Sequence, residues 1–411
     1  MSNQIEQRAA ERLLSGAAWD DLCEVMKRAG RIVDQLGDEI DELDRVEWFR
    51  FLSRLVRHGF HRFVENSEPD RPRLIDTPWR QGINFQSPDQ DHLIAEFFDG
   101  AFDYRITGNR GTIPYFVMAA WEGGFPADHG ARDWAAAGID GLAEFDPAMM
   151  RTTGFTSSDQ LRFDADGNFT VIASREKPAD GSDWLPITGS TVGILVRTLY
   201  HLREETMAPS MRIERLDGAQ PRPLRASELS AGLARAAQIT LGYAELVRRW
   251  WQDNLDRRPN RIVFDRAMYL ANGGVADRHH GFGTWECGRD EAVVIRFMPV
   301  DCDYWILQLC NIWQENLDNY EDGNGYIQKY RAAYEADGSI RIVIAHRDPG
   351  LGGNWIDPFG HIHGGWSLRF IKTLSAPPEV VVHRLALADL ETEGFAALDR
   401  NDPIHTGGLP D

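Results

Sequence analysis

Cysteine is scarce in this chain. Cys23, Cys287, Cys302 and Cys310 are all there is among 411 residues, and none stands in a C-x-x-C pair. That spacing argues against a disulfide framework and a zinc knuckle. Basic residues are in deficit too: 44 Lys and Arg face 63 Asp and Glu, a formal charge of −19. Such a surface repels phosphate backbones and anionic lipids, so neither nucleic acid nor membrane is expected as a partner. No apolar run approaches spanning length, and the opening MSNQIEQRAAERLL is polar and amphipathic, unlike a signal peptide. The expected location is the reducing cytoplasm. There is no G-x-S-x-G elbow, Walker loop or H-E-x-x-H, and Gly108-Asn109-Arg110-Gly111 follows no βαβ pattern. Nucleotide-driven and α/β-hydrolase chemistry are set aside, and no cofactor is expected.

Aromatic residues are plentiful: 13 Trp, 20 Phe and 10 Tyr. Flat apolar side chains suit packed cores and pockets for bulky apolar ligands. The length suits two or three domains. Residues 1–66 read as a helical region. Leu22, Val25, Met26, Ala29, Val33 and Leu36 form one stripe, and Ile40, Leu43, Phe49, Leu52, Val56, Phe60 and Phe63 a second. Both need a covering surface, either the β body or another subunit, and stripes of this size point to a homodimer. Strand patterns fill 67–222. A long helix spans 223–258, capped by Ser227, with Leu229, Leu233, Ala236, Leu241, Ala244, Val247 and Trp251 on one face. Strand patterns return over 259–393, and 394–411 reads as a loose or partner-bound tail.

The chain repeats itself. Asp166-Gly167-Asn168-Phe169-Thr170-Val171-Ile172-Ala173 matches Asp337-Gly338-Ser339-Ile340-Arg341-Ile342-Val343-Ile344, and Ser182-Asp183-Trp184-Leu185 matches Gly353-Asn354-Trp355-Ile356. Each Asp-Gly makes a tight turn into an alternating strand, and the polar-Trp pair closes a loop. Arg197 and Arg369 follow the two tryptophans inside apolar strands. Asp103-Tyr104-Arg105-Ile106 echoes Asp303-Tyr304-Trp305-Ile306. The expectation is a mainly β protein: two related β-sandwich or jelly-roll-like domains from an internal duplication, joined by the long helix.

These motifs resemble a bacterial family of uncharacterised domains, the domain of unknown function 1214, often found with a relative numbered 1254. The resemblance rests on Tyr104-Arg105-Ile106-Thr107-Gly108-Asn109-Arg110-Gly111, Asp337-Gly338, Asn354-Trp355-Ile356 and Tyr304-Trp305, and covers residues 80–200 and 290–390. It implies β-sandwiches of viral-capsid type and a catabolic role beside genes that break down aromatic or steroid-like compounds. The first copy departs from the pattern with Asp183 where the second has Asn354, and the Tyr-Arg-Ile-Thr-Gly motif is degenerate in the second half. A working site in one half only would follow.

Several groups of residues are candidates for chemistry. His279 and His280, beside Arg278 in a Gly-rich loop, suit proton transfer next to an anion-holding guanidinium. Tyr104 is a second proton acceptor, and Glu315 and Asn316 follow a polar-aromatic strand. Tyr304, Trp305, Gln308, Trp313, Asn354 and Trp355 are candidate substrate contacts. His361 and His363 would share a strand face, and with His346 could bind a metal. Arg197 and Arg369 are expected to pair with carboxylates. The first functional expectation is a cofactor-independent lyase. It would act by acid–base chemistry, through retro-aldol-like cleavage or elimination, on a bulky aromatic, lignin-derived or steroid-like molecule. A non-catalytic ligand-binding or assembly protein is the second, and a metal-dependent hydrolase or oxygenase the third.

Overall fold

The computed structural model describes residues 2–405 other than 67, 69, 77–84, 97–98, 123–150, 221, 258, 272–273 and 318–324. Three helices open the chain: α1 (Ser2–Leu14), α2 (Ala17–Gly30) and α3 (Glu42–Gly59), the last running on as one wider turn over Phe60–Val64. Asp41 caps α3 reciprocally with Asp44: each backbone N–H donates to the other's carboxylate at 3.0 Å. Leu22, Val25 and Ala29 are buried as their spacing predicts, but the face of α3 is displaced. Trp48, Phe51 and Leu55 point inward, whereas Phe49 is 59% exposed. The expected stripe took Phe49 for a core residue and passed over its neighbour Trp48.

Helix α4 (Ala226–Arg257) fills the centre. Residues 231–244 are buried on every side, because α1–α3 cover one flank and the β body the other. Its first N–H groups are held by a carboxylate from another helix: Ala226 and Ser227 donate to Glu6 at 2.9 and 3.1 Å. Ser227 therefore lies inside the helix and is not its cap. Most of the N-terminal stripe residues pack against α4, with Phe49 left exposed, so the stripes by themselves do not argue for a second subunit.

The β body is two sandwiches of matching construction. In the first, a sheet of order β1-β2-β8-β4-β5 packs on one of order β7-β6-β3-β9. Its strands are β1 (Ile75–Asp76), β2 (His92–Ala95), β3 (Tyr104–Asn109), β4 (Tyr115–Glu122), β5 (Arg151–Ser157), β6 (Asn168–Ser174), β7 (Asp183–Pro186), β8 (Gly193–Leu199) and β9 (Ser210–Arg215). The second begins after α5 (Arg266–Ala271). It pairs a sheet of order β10-β16-β12-β13 with one of order β15-β14-β11-β17-β18. Those strands are β10 (Arg278–Glu286), β11 (Glu291–Phe297), β12 (Tyr304–Cys310), β13 (Tyr326–Gln328), β14 (Ile340–Ala345), β15 (Asn354–Ile356), β16 (His363–Ile371), β17 (Val380–Ala386) and β18 (Ile404–His405).

The duplication is visible in detail. Gly167 and Gly338 both turn at φ +83°. The pairs β6–β7 and β14–β15 are both parallel. Trp184 Nε1 donates to Ser174 O at 3.0 Å, and Trp355 Nε1 to Ala345 O at 2.9 Å. These tryptophans tie each loop back to the strand it left. Residues 394–405 are not loose: α6 (Leu387–Glu393) leads into a 3-10 turn over Gly394–Arg400, and β18 pairs with β17. No helix among the described residues is long and apolar enough to cross a membrane.

Candidate functional site

The two sandwiches meet face to face through β2, β8 and β4 of the first and β10, β16 and β12 of the second. Strand alternation sets what each face presents. Phe116, Met118, Ile194 and Val196 point into the first core, so Tyr115, Val117, Arg197 and Leu199 point out toward the second sandwich. Trp305, Leu307, Leu368 and Phe370 point into the second core, so Tyr304, Ile306, Arg369 and Ile371 point back. Tyr115, Val117 and Leu199 pack there against Tyr304, Ile306 and Ile371.

The contact is reciprocal. His92 lies opposite Arg197 in the β2–β8 register, and His280 lies opposite Arg369 in the β10–β16 register. Three residues before each histidine stands an aspartate that accepts a hydrogen bond from the other half. Tyr115 Oη donates to Asp277 Oδ2 at 2.8 Å, and Tyr304 Oη donates to Asp89 Oδ2. Each half thus supplies one histidine–arginine pair to a shared chamber, and each locks the other half's aspartate.

The chamber is strongly basic. Arg197, His92 and His280 lie deep in the protein yet keep partial accessible surface, so open space reaches them. Burial pulls Arg197 and Arg369 each down to about 10, and Arg278 presses on both. No carboxylate among the described residues is a leading influence on Arg197 or Arg369. Arg369 is held by neutral groups, Gln308 Oε1 at 2.6 Å and the carbonyl of Phe85. Arg278 has Asp277 on its Nε at 2.9 Å, while its Nη2 is buried with no hydrogen-bond partner among the described residues. The expected carboxylate pairs of Arg197 and Arg369 are not found among the described residues, because their strands face each other across the chamber and the nearby aspartates are taken. Burial, reinforced by the arginines, holds His92 and His280 well below the usual imidazole range, so both are neutral at pH 7. Ser367 Oγ, 2.8 Å from His280 Nε2, orients that ring.

The walls are aromatic. Phe85 meets Trp250 edge-on at 4.9 Å and Phe282 at 5.5 Å, and Phe282 lies 3.6 Å from the His280 ring. Gly365 makes room, since a Cβ there would stand 2.6 Å from the Phe85 ring. Phe85 is itself at φ +53°, and its N–H donates at 3.1 Å to Gln314 O, on a residue at φ +62°. Left-handed backbone at two non-glycine residues costs on the order of 1–3 kcal/mol each. Here it aims the Phe85 carbonyl at Arg369. Tyr269 on α5 lies 6.0 Å from the His280 ring, and Arg197, Arg278 and Arg369 all feel it.

The expected site residues divide accordingly. His280, Arg278, Tyr304 and Gln308 are on the chamber face. Asn316 stands one step behind, accepting from Gln308 Nε2 at 2.8 Å. His279 is on the opposite face of β10, bonded to Ser375 O at 2.6 Å, and the Gly-rich loop expected for 277–281 is this strand. Tyr104 is buried in the first core, its hydroxyl on Asp99 O at 2.9 Å. Trp305 and Trp313 are core, Trp355 closes a loop, and Asn354 bonds both N–H and C=O of Ala333. Glu315 lies under the helical layer on Arg54 at 2.7 Å, and burial pushes it up to about 7. His361 and His363 do not share a strand face. His361, in the preceding turn, contacts Glu47 Oε2 at 2.9 Å, His363 contacts Asp44 Oδ2 at 2.7 Å, and His346 faces Cys287 O. The pair fastens α3 to the second sandwich instead of converging with His346. Asp41, Asp44 and His363 do come within 4.8 Å of one another, but both aspartates are occupied by the α3 cap. All four cysteines are unpaired, and burial pushes Cys287 and Cys310 up to about 12.

His92 and Tyr269 were missed. The recurrence of Asp-x-x-His at Asp89–His92 and Asp277–His280 is the sequence signal that locates His92. Tyr269 has no counterpart of that kind.

Fold and site together define a double β-sandwich protein with a basic chamber between its halves. An uncharacterized protein from Burkholderia cenocepacia is similar along nearly its whole length: TM-score 0.81, 31% identity, 92% of this chain and 99% of that one. The chain belongs to the family described as protein of unknown function (DUF1214), which matches residues 132–203, ending just beyond β8 and Arg197. A Vibrio parahaemolyticus protein aligns at TM-score 0.44 with 12% identity over 88% of this chain and 98% of its own, too remote to bear on fold or function. No curated protein matches.

Proposed function

We propose that the chamber is the active site of a cofactor-independent lyase acting on an anionic, bulky and largely aromatic or polycyclic small molecule. One observation carries the reading: two neutral histidines stand beside Arg197 and Arg369, which have no carboxylate partner among the described residues, in a space walled by aromatic rings. Buried charge of one sign favours a ligand of the other. Neutral imidazole beside guanidinium suits proton abstraction that leaves an oxyanion.

In a retro-aldol cleavage, His280 takes the proton of a substrate hydroxyl. The O–H pair becomes the carbonyl of a released aldehyde and the C–C bond breaks. Its electron pair is held as an enolate by Arg278 and Arg369 until a proton returns from the imidazolium. In an elimination, the same histidine takes a C–H proton and the arginines steady the departing oxygen. Tyr104 and His279 have no part in this scheme, since each is committed to a backbone carbonyl away from the chamber.

The test is a turnover screen with aryl and steroid carboxylic acids bearing a β-hydroxyl, read as aldehyde release or a new double bond. Turnover lost in His280→Gln while thermal unfolding is unchanged supports the lyase. Compounds that raise the melting temperature and emerge intact would make the protein a non-catalytic binder.

A further inference from the structure

The chamber has a charge count as well as a sign, and that count specifies its ligand more closely. This deepens the proposed function and rests on the chamber being a ligand site. We propose that the ligand is an organic dicarboxylate with an apolar body, one carboxylate held at Arg197 and the other at Arg369.

The duplication supplies the first argument. Arg197 and Arg369 occupy equivalent places in β8 and β16, each across from a histidine, on sheet faces that confront each other. A ligand between them meets one guanidinium on each wall. Charge supplies the second. Arg278 has its own carboxylate, Asp277, whose other oxygen takes the Tyr115 hydroxyl. Arg197 and Arg369 have none among the described residues, so two positive charges are left over, one per half. A monoanion would leave one of them buried and unmatched. The third argument is the material between the two poles. Phe85, Phe282 and Trp250 are rings, and they offer a flat apolar body what they cannot offer a hydrated one. A compact dianion such as inorganic phosphate has no apolar body to set against these rings. Arg278, felt by both other arginines and with Nη2 unbonded among the described residues, adds a third donor.

The experiment is calorimetric titration of the full chain with the three benzenedicarboxylates, biphenyl-4,4′-dicarboxylate, benzoate and inorganic phosphate. A charge-assisted Arg–carboxylate contact is worth roughly ten- to hundredfold in affinity. At least one dicarboxylate should therefore bind tighter than benzoate by that margin. Arg197→Gln and Arg369→Gln should each reduce it to the benzoate level. Equal binding of benzoate and the dicarboxylates, preference for phosphate, or no response to any dicarboxylate would overturn the proposal, and the wild-type comparison holds even if a variant fails to fold. No turnover is read here. A dicarboxylate preference without catalysis on any substrate leaves this inference standing and removes the lyase, whereas turnover of monoacids only does the reverse.

Discussion

Removing the charge of Arg197 while keeping its bulk, as Arg197→Met, should make the ligand-free protein more stable. At neutral pH the guanidinium is protonated in folded and unfolded chains alike. Its folded value is depressed to about 10, so the burial penalty is fully present below pH 10 and fades only as pH rises from there toward the ordinary guanidinium range. At 1.36 kcal/mol per pH unit the penalty is about 3 kcal/mol. Partial exposure discounts it, and Met forfeits some packing, so a net gain of about 1–2 kcal/mol is expected. In thermal unfolding that is a rise of a few degrees. The assay is differential scanning calorimetry of both proteins without ligand, repeated with a saturating aromatic dicarboxylate. The wild type should gain from the ligand, and the variant should gain much less. A variant less stable than wild type without ligand, and equally responsive with it, would refute the reasoning: Arg197 would then be a satisfied structural residue and the chamber no anion site.

Three further outcomes follow from the geometry. Burial and the arginines hold His92 and His280 neutral, and a bound anion offsets the arginines, so binding should draw protons onto the imidazoles. Affinity should rise as pH falls from 8 to 6, with net proton uptake seen as a heat that scales with buffer ionisation enthalpy. Burial raises Asp89 to about 6 against 3.8 unfolded, so the penalty on its charged form is full above pH 6 and relieved as pH falls to 4. Asp89→Asn should therefore stabilise the protein at pH 8 and change little at pH 4, by chemical denaturation at both. Trp184→Phe and Trp355→Phe each remove one indole hydrogen bond and should cost about 1 kcal/mol in the same measurement, leaving dicarboxylate binding untouched.

The fold was largely legible because its signals are local. Asp-Gly turns, alternating strands and the tryptophan loops recur at matched spacing, and each is decided by residues a few positions apart. The helix pattern failed at Phe49, where an aromatic next to Trp48 offered two registers and only packing on α4 chooses between them. The site was half legible. His280, Arg278 and Gln308, singled out by residue type, lie on the face of the candidate chamber. An arginine in an apolar strand usually has a carboxylate partner, and the docking of two sheets leaves Arg197 and Arg369 without one among the described residues. The metal reading of His361 and His363 assumed a strand that begins two residues too late, and Asp44 and Glu47, far away in sequence, take both rings. Such long-range partners leave no trace in spacing.

The exchanged Asp–Tyr contacts carry a consequence for how such a protein can vary. The junction has the reciprocity of a homodimer interface drawn inside a single polypeptide. A half-length chain bearing one Asp-x-x-His and one such tyrosine would meet its own copy through the same two bonds and close a cavity of perfect symmetry. Covalent fusion lifts that constraint. Here the residue after the aspartate is Gln90 in one half and Arg278 in the other. A tethered pair can thus grip the two ends of a lopsided molecule differently, as a symmetric pair never can.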